Sequence, residues 1–127
     1  MKTAVHPQNA AAPKGPYSPG VTFSDRVLYV SAQGPFDPKT GAVVGDTFED
    51  QVERVFENIQ VIAEAAGATL ADVVKLTVFI TDWNDFESMN QICIRYFPEP
   101  YPARTPVQME IPGALFMAYA VVALERD

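Results

Sequence analysis

The chain has 127 residues, 48% of them hydrophobic and 20% charged, with a net charge of −7, which fits one domain over residues 1–127 with a real apolar core. Nine Lys and Arg against 16 Asp and Glu, without a basic cluster, disfavour nucleic-acid partners and anionic membrane surfaces. The single cysteine, Cys93, excludes an intrachain disulfide and any zinc site built from several cysteines, and the single histidine, His6, lies near the chain start. Residues 7–20, rich in Ala, Pro and Gly, read as a loop or irregular edge segment. Residues 26–33 are β-rich and end at Gly34-Pro35, so they form a strand. Asp37-Pro-Lys-Thr-Gly41 is a turn, opened by Asp and Pro and closed by Gly.

Asp46 or Thr47 is a plausible N-cap. From there Phe48, Val52, Val55, Phe56, Ile59, Ile62, Ala63 and Ala66 recur at helical spacing, and Gly67 supplies the stop. The acids of this segment fall largely on the opposite face and form a solvated surface. Residues 72–80 are the next strand. Thr81 or Asp82 then caps a second helix carrying Phe86, Met89, Cys93, Tyr96 and Phe97 on one stripe. Cys93 reads as a packed thiol, with nothing nearby to lower its pKa. Pro98, Pro100 and Pro102 force an extended connection. Residues 104–110 and 114–125 are two closing strands joined at Pro112-Gly113.

The order is strand, strand, helix, strand, helix, strand, strand. Two modest helices cover one face of such a sheet. The last strand is apolar at almost every position, which predicts burial on both faces and an obligate homo-oligomer. No apolar run reaches transmembrane length and the N-terminus is not a signal peptide, so the chain reads as soluble and cytoplasmic.

P-loop, dinucleotide fingerprint and serine-triad patterns are absent. What remains is a set of polar and aromatic groups: Tyr17, Ser31, Gln33, Asn90 and Arg104. Arg104 is the one cation of the apolar, proline-punctuated stretch 101–124, and its rigid fork of donors matches a carboxylate.

Several segments, in order and spacing, resemble the RidA/YjgF family of reactive-intermediate deaminases, also labelled endoribonuclease L-PSP. They are Gly15-Pro-Tyr-Ser18, Leu28-Tyr-Val-Ser-Ala-Gln-Gly34, Asp37-Pro-Lys-Thr-Gly41, Glu64-Ala-Ala-Gly67, Asp72-Val-Val-Lys-Leu-Thr-Val-Phe-Ile80, Asn84-Asp-Phe86, Met89-Asn90 and Pro102-Ala-Arg104. The resemblance implies an α+β, chorismate-mutase-like fold: a mixed sheet with two helices on one face, assembled as a homotrimer with ligand clefts between subunits. It implies hydrolysis of 2-imino acids or their enamines to 2-oxo acids and ammonia, with no metal or other cofactor. Carried over by position, Arg104 is the catalytic carboxylate anchor. Tyr17, Ser31, Ala32, Gln33 and Asn90 are substrate-binding positions.

The chain departs from the family pattern inside that site. Pro106 stands where typical members offer a backbone N–H to the substrate, and proline has none. Ala32 replaces a glycine. Met117-Ala-Tyr119 replaces a Glu-Ile-Glu pattern whose first acid is proposed to serve the attacking water, and the loop before it is shorter. Glu110 is a possible substitute. Met117, Tyr119 and Pro106 therefore point to a remodelled pocket. The alternatives are a specialised enzyme for a larger or aromatic amino-acid-derived carboxylate, or a non-catalytic trimer that binds small acids. The endoribonuclease label fits poorly with so acidic a chain.

Overall fold

The computed structural model describes residues 2–9, 12–13, 15–24 and 26–124. The elements are β1 (Thr3–Val5), β2 (Gly20–Thr22), β3 (Arg26–Gln33), α1 (Phe48–Ala65), β4 (Val73–Ile80), α2 (Phe86–Tyr96), β5 (Ala103–Gln108) and β6 (Phe116–Leu124). Short 3₁₀ turns, Leu70–Asp72 and Trp83–Asp85, precede β4 and α2. The end of the last expected strand, residue 125, lies outside the described residues.

Helix α1 starts where the sequence says it should. Thr47 is extended and its hydroxyl accepts from the Asp50 N–H, while Glu49 and Asp50 sit in the first turn, where the helix dipole favours acids. Gly67, at φ 85°, takes the left-handed position past the helix, and its N–H bonds the Glu64 carbonyl. Asp82 accepts from the Asn84 N–H and caps the turn that leads into α2.

The main sheet has the order β3-β6-β4-β5. Its pairs are antiparallel except β4 with β5, so the sheet is mixed. Both helices pack on the face formed by Leu76, Val78 and Ile80 of β4 and Phe116, Ala118, Ala120 and Val122 of β6. Phe56 of α1 is the hub, with ring centroids 5.0 Å from Phe97, 5.7 Å from Phe116 and 5.6 Å from Tyr96. Buried Gln51 joins α1 to the loops, accepting from the Leu115 N–H at 2.8 Å and donating to the Gly45 carbonyl at 3.2 Å.

The other face carries Tyr29, Phe79, Val107, Met117, Tyr119 and Val121, all exposed or half-buried in the single chain. The double burial expected of the last strand therefore holds on the helix side only within one chain. The described residues of 7–20 are loop apart from the Ser18 bridge and Gly20, and the segment joins β1 to β2, which pair antiparallel as a separate two-stranded sheet. Lys2 fastens this unit to the core by donating to the Val73 carbonyl at 2.7 Å, and burial pulls its pKa down to about 8.

The Asp37 turn makes a titration prediction. Its carboxylate accepts from the Lys39 N–H at 2.8 Å and the Thr40 N–H at 3.0 Å, and those bonds hold its pKa below the ordinary value of 3.8. A depressed carboxylate pKa stabilises the turn above the ordinary range, and the contribution is lost as pH falls through the lower folded value. The Lys39 and Thr40 amide resonances should therefore move together with a midpoint below 3.8. A midpoint at or above that value would contradict the assignment.

Candidate functional site

Arg104 enters on β5, the edge strand beside β4, in register with Leu76. Leu76 faces the helices, so Arg104 projects into the same layer and meets α2. Its Nη1 donates to Asn90 Oδ1 at 2.7 Å and lies 3.7 Å from Cys93 Sγ. Asn90 and Cys93 lie one helical turn apart, near enough in spacing to share a face. The Tyr17 and Phe86 rings stand 5.6 and 5.4 Å from the guanidinium carbon, within cation–π range.

Segment 15–18 reaches this site by pairing with the start of β5. Ser18 forms a parallel bridge with Ala103, its N–H bonds the Pro102 carbonyl at 2.8 Å, and its hydroxyl donates to the Tyr101 carbonyl. Gly15 then lies against the guanidinium: a Cβ built there would sit 3.5 Å from Nη2.

Arg104 is only 8% exposed, and its Nε is buried without a hydrogen-bond partner. Among the described residues no carboxylate pairs with it. A buried charge is normally paired, because desolvating it alone is expensive. The guanidinium opens on a cleft of about 360 Å³ lined by Tyr17, Phe86, Arg104 and Pro106. Pro106 is tolerated in β5 because an edge strand can turn a proline nitrogen away from its neighbour. A larger depression of about 510 Å³, lined in part by His6, Glu99 and Tyr101, shares Tyr17 with this cleft.

The fold brings the Arg104 guanidinium beside Cys93, where the sequence led us to expect nothing that lowers its pKa. Burial is nevertheless the larger influence and pushes the thiol up, with Arg104 pulling the other way. Cys93 is thus a packed thiol because it is buried, although a charge stands beside it.

Of the sequence-derived candidates, Arg104, Asn90, Tyr17 and Pro106 come together. Ser31, Ala32 and Gln33 do not join them within one chain. They end β3, at the opposite edge of the sheet, and three strand spacings put them about 14 Å from β5. Gln33 instead donates to the Ser31 carbonyl at 3.2 Å. Met117 and Tyr119 also stay apart from Arg104. They alternate with helix-facing Phe116, Ala118 and Ala120, and so lie on the uncovered face. Glu110 is exposed beyond the end of β5 and does not line the cleft. Phe86 was read as part of an apolar stripe and of a family motif but not as a site residue, yet it forms one wall of the site. The signal that could have singled it out is its place in Asn84-Asp-Phe86.

Comparison with known proteins agrees with the fold. The family described as Endoribonuclease L-PSP matches residues 7–114. A RutC family protein of Pyrococcus horikoshii is 44% identical over 109 residues, 86% of each chain. One from Saccharolobus solfataricus is 43% identical over 124 residues, 97% of this chain and 98% of that one. The crystal structure of RidA from the Antarctic bacterium Psychrobacter sp. superposes with a TM-score of 0.74 at 38% identity, covering 96% of this chain and 99% of that one. With this match running through nearly the whole fold and both walls of the Arg104 cleft, the chain belongs to the RidA/YjgF family, described as endoribonuclease L-PSP.

Proposed function

We propose that this chain is a cofactor-independent hydrolase that deaminates 2-imino acids, or their enamine tautomers, to 2-oxo acids and ammonia. In this reading the 127 residues form one chorismate-mutase-like domain, and the working unit is a cytoplasmic homotrimer whose copies cover the open sheet face. Its ligand is a small carboxylate, not a nucleic acid.

One observation carries the reading: among the described residues no carboxylate pairs with the buried Arg104 guanidinium, which opens on a small-molecule cleft. Asn90 occupies Nη1, and in this reading the ligand's carboxylate meets the guanidinium from the cleft. Held there, the imine carbon is open to water. Water adds to C2, the tetrahedral adduct loses ammonia, and the C2 oxygen becomes the ketone. An imine is already electrophilic, so fixing its orientation supplies much of the acceleration. The ends of β3 on a neighbouring copy would bring Ser31, Ala32 and Gln33 to the far wall, and the open-face residues Met117 and Tyr119 would lie at the same junction.

A second reading keeps the anchor and changes the substrate. Tyr17, Phe86 and Pro106 make the cleft largely apolar, which suits a larger or aromatic amino-acid-derived carboxylate. One assay separates the readings. Imines are generated in situ, 2-iminobutanoate by a dehydratase and the phenylalanine imine by an amino-acid oxidase, and their loss is followed with and without the protein. Faster loss of 2-iminobutanoate supports the first reading, and selective loss of the aromatic imine the second. Tight 2-oxo acid binding with no acceleration of either defeats both and favours a non-catalytic small-acid binder. Light scattering that returns a monomer at assay concentration would sink the trimer.

A further inference from the structure

Trp83 is the chain's only tryptophan and stands outside every role assigned so far. It opens the 3₁₀ turn between β4 and α2 and is 45% exposed. Its ring lies nearly parallel to Phe86, at 4.7 Å between centroids and 12° between planes. Phe86 in turn lies against the Arg104 guanidinium. Indole, phenyl ring and guanidinium thus form a chain of contacts, with Tyr17 touching the guanidinium as well.

The strand register gives this chain a direction. β5 runs parallel to β4, with Arg104 beside Leu76, Pro106 beside Val78 and Gln108 beside Ile80. Trp83 follows Ile80 by three residues, so it stands at the sheet end toward which β5 runs from Arg104 past Pro106. A ligand anchored at Arg104 and extending past Pro106 therefore runs along Phe86, which lines the cleft, and toward Trp83, which is stacked on Phe86 but is not itself a lining residue. The cleft of about 360 Å³ holds roughly a dozen water-sized groups. A four-carbon acid would leave much of it to water, whereas an aromatic side chain would replace that water with ring contacts.

We propose that Trp83 is a specificity-determining residue: with Phe86 it forms an aromatic shelf that selects acids bearing a planar, conjugated or aromatic substituent. This rests on the reading of Arg104 as the carboxylate anchor. The shelf acts on the substituent and the anchor on the carboxylate, so the two claims fail in different ways.

The test uses the full-length protein and two stable 2-oxo acids, 2-oxo-3-phenylpropanoate and 2-oxobutanoate, titrated by calorimetry and by fluorescence of the single tryptophan. The phenyl acid should bind roughly three- to tenfold more tightly and change the Trp83 emission more than the small acid does. Trp83→Leu should collapse the ratio of the two dissociation constants toward one, and Trp83→Phe should restore most of it. Equal weakening of both acids by Trp83→Leu would overturn the proposal, because it would reduce Trp83 to a structural support for Phe86. So would a parent protein that does not discriminate the acids. Arg104→Met separates the underlying reading: discrimination and binding that persist without the guanidinium defeat the anchor. If neither acid binds the parent, anchor and shelf fall together.

Discussion

Arg104→Met should remove 2-oxo acid binding while leaving the fold at least as stable as the parent. Loss of two charge-assisted N–H donors to a carboxylate is expected to weaken binding by about 2–4 kcal/mol, roughly 30- to 1,000-fold. The stability expectation runs the other way. Arg104 is 8% exposed, and among the described residues its Nε has no partner and no acid neutralises it. An uncompensated buried charge destabilises the protein that carries it, and an apolar replacement of similar length is commonly neutral or stabilising. Asn90 Oδ1 loses its donor in the exchange, which offsets part of the gain. Denaturant titration and calorimetry on one preparation test both halves. A variant that binds the acid as well as the parent rejects the anchor, and a large drop in stability would show that Arg104 is a structural group. Arg104→Lys is a sharper probe, because it keeps the charge and loses the fork.

Phe56→Ala should be the most damaging single core change. Phe56 is fully buried and touches Tyr96, Phe97 and Phe116, and so couples α1 to the end of α2 and to β6. Truncating a buried phenylalanine costs about 3–5 kcal/mol, through lost burial and the cavity left behind. Total stabilities of domains are about 5–15 kcal/mol, so this one change removes a large share. With a urea slope of about 1–3 kcal/mol/M, the midpoint should fall by one to several molar. Parent and variant must be compared at equal protein concentration if the chain associates. A shift corresponding to less than about 1 kcal/mol would mean that the surrounding rings collapse into the cavity.

Pro106 and Arg104 have a joint geometric meaning. Both line one cleft, with Phe86 and Tyr17 as its aromatic walls. A buried cation thus stands beside apolar surface, and the proline has no N–H to offer. That combination motivates the test of a phenyl-bearing acid.

The sequence by itself determined the parts whose physics is local. Thr47 and Gly67 bound α1 because a capping hydroxyl and a left-handed glycine act within one turn. Apolar spacing marked Val52, Val55, Phe56 and Ile59 as core, and ordered motifs identified the family. Strand geometry divides β6 into two alternating sets, but the strand is apolar at almost every position, so the sequence showed no alternation. It could not say which set faces the helices, because alternation is symmetric until something covers one face. Only the tertiary structure put Arg104 under α2 and left Met117 and Tyr119 on the opposite side of the sheet. It also brought Asn90, Cys93, Tyr17 and Phe86 around one guanidinium and placed Ser31–Gln33 at the far edge. These are contacts between residues distant in sequence, decided by where α2 and the Gly15–Ser18 segment dock. The charge of Arg104 was legible from the chain, but its burial with no anion beside it among the described residues, on which the functional reading rests, came from packing.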